Sequence, residues 1–107
     1  MREIDLTAFA TAHADGAVVI DVREPAEYAA GHVPGALPVP LGDLPGHLSR
    51  LPRDTAVYVI CAGGSRSLAA ADLLARAGVV AYSVAGGTSA WAGAGRPLAR
   101  GDRPRAA

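Results

Sequence analysis

Val57-Tyr58-Val59-Ile60-Cys61-Ala62-Gly63-Gly64-Ser65-Arg66-Ser67-Leu68 decides the fold. Its first four residues are β-branched or aromatic and apolar throughout, the composition of a strand covered on both faces. Two glycines then turn the chain into a segment rich in alanine and leucine, with helical character to about Ala77 and a natural stop at Gly78. Cys61 sits where the strand ends. In an open α/β sheet that position borders the ligand crevice outside the carboxyl ends of the strands.

Working outward, the same alternation repeats on both sides. Glu3 to Leu6 reads as a short edge strand, and Asp5 or Thr7 as the cap of a helix over Ala8 to Ala14. Asp15-Gly16 turns into the apolar strand Ala17 to Arg23. Pro25 opens a short helix that Gly31 stops. Leu37 to Val39 is a brief strand between prolines. Apolar residues at 41, 44, 48 and 51 predict an amphipathic helix, interrupted by Pro45 and Gly46. After the Cys61 segment come a strand over Val79 to Ala85, the Gly86-Gly87 turn, and a last helix through Trp91 that Thr88 is placed to cap. Strands and helices in this order predict one α/β domain built on a parallel sheet of about five strands, with helices on both faces. The domain is expected over residues 1–98. Residues 99–107, arginine, proline, glycine and alanine without period, read as a loose tail.

Composition narrows the function. The 107 residues fit one core, and half of them are apolar. Ten basic residues balance ten acidic ones, so no nucleic acid or membrane partner held by bulk charge is expected. A single cysteine excludes an internal disulfide and a multi-cysteine metal site. No apolar run has transmembrane length, and the N-terminus lacks the apolar core of a signal peptide, so a cytoplasmic protein without metal or cofactor is the expectation.

Chemistry converges on Cys61. Gly63 and Gly64 permit a tight curve in which successive N–H groups point inward, backed by the free amides of the following helix. Such a cradle binds anions, and it lowers a thiol pKa below the ordinary value of about 8.5. Arg66 adds a permanent cation at the rim. A low-pKa cysteine in an anion cradle is a nucleophile. Ser65 and Ser67 are candidate hydroxyl donors, Ser67 equally a helix-start residue. Asp21 and Arg23 lie at a strand's carboxyl end, where they either shape the field at the thiol or, the reading preferred, brace the neighbouring loops as an ion pair. His32, between Gly31 and Pro34-Gly35, reads as part of a fixed turn rather than as a catalytic base. His13 and His47 fall on expected surface helices without metal-ligand spacing, and Tyr28 and Trp91 read as packing residues.

Three segments carry a family resemblance. Ile20-Asp21-Val22-Arg23-Glu24-Pro25-Ala26-Glu27-Tyr28 through Ala36 resembles the N-terminal motif of rhodanese-like domains. Cys61 to Ser67 resembles their active-site loop, and Val84-Ala85-Gly86-Gly87 with Trp91 and Pro97 their C-terminal motif. The resemblance implies sulfurtransferase chemistry of the thiosulfate type through a Cys61 persulfide. The backbone of Ala62, Gly63, Gly64, Ser65, Arg66 and Ser67 would cradle the persulfide, and Arg66 would guide anions. It also implies a small anionic sulfur donor and a thiol or cyanide acceptor. A protein donor or acceptor in a sulfur relay is the alternative. A cysteine phosphatase is a weaker one, because four residues separate Cys61 from Arg66, whereas the fold-related phosphatases carry a loop one residue longer.

Overall fold

A computed structural model describes residues 2–104. Five parallel strands, β1 (Glu3–Ile4), β2 (Val18–Asp21), β3 (Leu37–Pro38), β4 (Val57–Ile60) and β5 (Ala81–Val84), form one sheet in the order β1-β5-β4-β2-β3. The helices are α1 (Leu6–Ala14), α2 (Pro25–Ala30), α3 (Ser65–Arg76) and α4 (Gly87–Gly93). The α/β class, the parallel sheet and its five strands are as the sequence predicts.

Strand periodicity divides the core in two. On β4, Val57 and Val59, followed by Cys61, face a cluster containing Ile20, Ala70, Leu74 and Leu44; Ile60 faces a second cluster containing Phe9, Tyr28, Val84 and Trp91. Alternate residues of one strand therefore meet different helices, which is why the strand is apolar at nearly every position. On α3 the buried residues are Ser67, Ala70, Ala71 and Leu74, a three-to-four spacing that turns one stripe onto the sheet. Its alanines permit close approach to the strands. The Asp5 carboxylate accepts from the Ala8 amide at 2.8 Å and caps α1.

Three local expectations change. Leu41–Arg50 is a 3₁₀ helix, not an α-helix. Its leucines follow the expected spacing, with Leu44 fully buried and Leu41, Leu48 and Leu51 packed against the same cluster. Pro45 lacks the N–H and crowds the carbonyl four residues back, and Gly42 and Gly46 add no helix propensity, so the tighter coil is adopted. Thr88 does not cap α4. Gly86, left-handed at φ 75°, occupies that position, and Thr88 lies buried inside the first turn. The segment after Leu98 is docked: Ala99 forms an antiparallel bridge with His32, and the Gly101 amide donates to the Ala29 carbonyl at 2.9 Å. Residues 105–107 of the expected tail lie outside the described residues.

The strand order places the site. From β2 the chain moves outward to β3 on one side, and from β4 outward to β5 on the other. Tyr28 of α2 packs in one core cluster, whereas Ala70 and Leu74 of α3 pack in the other. The connections leaving the neighbouring strands β2 and β4 thus diverge to opposite faces and open a crevice at their carboxyl ends. Cys61 is the first residue beyond β4.

Candidate active site

Cys61 is buried, 1 % exposed, with its sulfur beneath the loop that follows. The Gly64 amide donates to Sγ at 3.1 Å. The loop reaches this geometry because Gly64 adopts φ 112°, in the left-handed region that favours glycine, directly before α3. Burial pushes the Cys61 thiol up, but the Ser67 hydroxyl and the backbone amides of Ser67, Gly64 and Arg66 outweigh it and hold the thiol below its ordinary value.

The serine beside the sulfur is part of a longer chain. Ser67 Oγ lies 3.4 Å from Cys61 Sγ, 3.1 Å from the Gly64 carbonyl, to which it donates, and 2.7 Å from Ser83 Oγ. Ser67 and Ser83 are both fully buried. While the sulfur is protonated, Sγ–H donates to Ser67 Oγ; once it ionises, the Ser67 proton can turn to the thiolate while Ser83 donates to Ser67 Oγ. Ser65, the other hydroxyl of the loop, is exposed to solvent. Ser83 is a contributor the sequence reading missed. Its signal was a lone hydroxyl within an apolar strand, where a buried polar group needs a partner.

The start of the loop is anchored by α4. Thr88 N–H donates to the Cys61 carbonyl at 2.8 Å, and Ser89 N–H to the Ala62 carbonyl at 3.0 Å. Amides left free at the first turn of a helix thus fix the backbone that carries the nucleophile. Gly87 makes this approach possible: a Cβ there would come within 2.4 Å of the Cys61 carbonyl oxygen and 2.6 Å of that of Ala62.

Arg66 does not stand free at the rim. Its guanidinium grips Glu27 of α2 in a bidentate pair at 2.7 and 2.9 Å, with both side chains about one-third exposed. Glu27 Oε1 also accepts from the Glu24 amide at 3.0 Å. Arg66 and then the Glu24 amide hold the Glu27 carboxyl well below its usual range, at about 2, and Glu27 in turn raises the Arg66 pKa. The ion pair bridges the crevice between α2 and α3. Glu27 is the second contributor the sequence reading missed; its position three residues after the helix-capping Glu24 accounts for it equally well.

Asp21 and Arg23 form a buried ion pair. The Arg23 guanidinium meets the Asp21 carboxylate at 2.9–3.2 Å and donates to the Gly31 carbonyl at 2.8 Å, all of it buried. His32 is fully buried, stacked on Tyr28 with ring centroids 3.7 Å apart, and its Nδ1 lies 2.9 Å from the Tyr28 carbonyl. Tyr28 donates its hydroxyl to the Ala36 carbonyl, and burial, aided by Asp21, pushes its pKa up to about 12. His13 is no isolated surface residue: Nε2 lies 2.7 Å from the Pro34 carbonyl and its ring meets Trp91 edge-on. Among the described residues no three potential metal ligands cluster, and no helix is long and apolar enough to cross a membrane. A surface hollow of about 610 Å³ opens around Asp15–Val18 and Thr55–Ala56, at the amino ends of β2 and β4 and therefore opposite the thiol.

The sequence profile of the rhodanese-like domain matches residues 6–94. The chain belongs to the rhodanese-like domain family. This rhodanese-like protein is 35 % identical over 101 residues to a protein of Allochromatium vinosum named a sulfurtransferase, covering 92 % of this chain and 94 % of that one. A crystal structure of a rhodanese-related protein from Thermoplasma volcanium superposes with TM-score 0.86 at 32 % identity, covering 92 % of this chain and 98 % of that one. A rhodanese-like domain protein from Staphylococcus aureus gives TM-score 0.80 at 30 % identity, over 85 % and 91 % of the two chains.

Proposed function

We propose that this rhodanese-like protein is a sulfurtransferase that carries a sulfane sulfur on Cys61, from a donor such as thiosulfate to a thiophilic acceptor such as cyanide or a thiol. The observation that carries this reading is the buried Cys61 sulfur under inward-pointing amides, with Gly64 N–H at 3.1 Å and a depressed thiol pKa. The name of the Allochromatium relative supports it.

In the first half-reaction the Cys61 thiolate attacks the outer sulfur of thiosulfate. A new S–S bond forms, the bond to the sulfonate sulfur breaks, and its electron pair leaves with sulfite. The terminal sulfur of the resulting Cys61 persulfide is anionic, and the backbone of Ala62 to Ser67 is its cradle. In the second half-reaction cyanide attacks that terminal sulfur, thiocyanate departs, and the Cys61 thiolate returns. With no second cysteine in the chain, discharge requires an external nucleophile rather than an internal disulfide. Asp21, Arg23 and His32 act here as supports of the crevice, and no step needs a metal or cofactor.

Intact mass after brief exposure to thiosulfate tests the reading. The expected result is a gain of one sulfur atom, absent in Cys61→Ser and reversed by cyanide with release of thiocyanate. A folded protein with a free thiol that gains no sulfur from thiosulfate or from a persulfidated protein thiol would overturn it. Gain from the protein thiol alone would assign the chain to a sulfur relay.

A further inference from the structure

We propose that Glu27 is a specificity-determining residue that disfavours doubly charged sulfur donors by cancelling the Arg66 charge at the mouth of the Cys61 loop. The inference rests on the sulfur-transfer reading above and adds the charge class of the donor.

Two ion pairs flank the crevice between β2 and β4. Asp21 neutralises Arg23, and that pair is buried. Glu27 neutralises Arg66 through both guanidinium arms. Glu27 is itself held by the Glu24 amide, so the carboxylate stays on Arg66 although about one-third of its side chain is exposed. Each pair sums to zero, so neither leaves a free cation, and the Cys61 thiolate adds one negative charge. A dianion approaching the thiolate therefore meets backbone amides without a free cation from either pair. A donor carrying one charge, or none, suffers less repulsion. Glu27 is remote from the sulfur in sequence and belongs to the opposite face of the sheet. Its effect reaches the donor through Arg66.

Thiosulfate, a dianion, and methanethiosulfonate, a monoanion, supply the test. Both present an outer sulfane sulfur to the thiolate; one releases sulfite and the other methanesulfinate, each leaving with the electron pair of the broken S–S bond. Glu27→Gln keeps an acceptor for Arg66 and for the Glu24 amide while removing the charge. With cyanide as acceptor, kcat/KM should rise about tenfold for thiosulfate and about threefold for methanethiosulfonate, because the Coulomb energy scales with donor charge and a single partly exposed charge is worth little. The gap should close at high salt. Arg66→Gln should penalise the dianion more than the monoanion, and the double variant should return the donor ratio to that of the unsubstituted protein. An equal response to both donors, in variants whose melting shows them folded, would overturn the charge filter and leave Glu27 a structural clamp. No transfer by the unsubstituted protein from either donor would sink the sulfur-transfer reading itself, and the filter with it.

Discussion

At the residue scale, the state of Cys61 depends on neighbours that are far apart in the chain. The cysteine, its glycines and Ser67 were legible because they share one loop. Ser83 and Glu27 were not, because each acts through a partner on another element, and their local contexts have ordinary readings as a strand residue and a helix-start residue. The contribution of Ser67 can be isolated. Its hydroxyl is the foremost influence that lowers the Cys61 pKa against burial. The thiolate forms as pH rises through that lowered pKa, so alkylation by iodoacetamide should increase with pH and level off above it. Ser67→Ala removes one hydrogen bond to the charged form, worth roughly one pKa unit. The rise should therefore move to higher pH by about that amount. Because the substitution also strips Ser83 Oγ of its partner, a fall in stability of about 1–3 kcal/mol should accompany it. An unmoved alkylation profile would show that the amides alone set the pKa.

At the element scale, the loop is held between two helix starts, α3 behind it and α4 beside it. The strand–loop–helix order was readable from apolar runs and glycines, and so was the spacing of the leucines over 41–51. What periodicity could not supply was the hydrogen-bond pattern of that segment, since i+3 and i+4 spacing serves 3₁₀ and α coils alike; Pro45 decided it. Nor could it distinguish the roles of the loop glycines. Gly87, at φ 56°, has no room for a Cβ against the carbonyls of Cys61 and Ala62, whereas nothing lies within 4 Å of a Cβ at Gly63, whose φ is not positive. Gly87→Ala must strain its own backbone and push α4 from the loop, and should lose at least about 2 kcal/mol in urea unfolding. Gly63→Ala should change stability by less than about 1 kcal/mol. Equal effects at the two positions would mean that the α4 contact does not constrain the loop.

At the scale of the whole molecule, the parallel sheet and its helical layers followed from alternation along the chain. Strand order did not, because it is set by which crossovers bury the two core clusters together, and no single segment encodes that choice. The end of the domain was misread for a related reason. Residues 96–101 have no periodicity, and their order comes from distant partners. Trp91 Nε1 donates to the Pro97 carbonyl at 2.7 Å, Ala99 exchanges backbone bonds with His32 at 2.8 and 2.9 Å, and Arg100 donates to the Ala30 carbonyl at 2.8 Å. Ala99 is buried and pairs through its backbone with His32, whose ring stacks on Tyr28 of α2. A chain ending at Leu98 loses the bonds made by Ala99, Arg100 and Gly101. At a net contribution of about 0.5–1.5 kcal/mol for each of the four, its urea midpoint should fall by the equivalent of roughly 2–6 kcal/mol. The His32 amide should also exchange faster with solvent hydrogen. The bonds lost involve residues 29–32, beyond Glu27, so the truncated chain should take up sulfur from thiosulfate as readily per folded molecule as the full one. An unchanged midpoint would show that the docked segment contributes nothing to stability. Lost sulfur uptake in a folded truncated chain would extend the site beyond the crevice to the C-terminal strap.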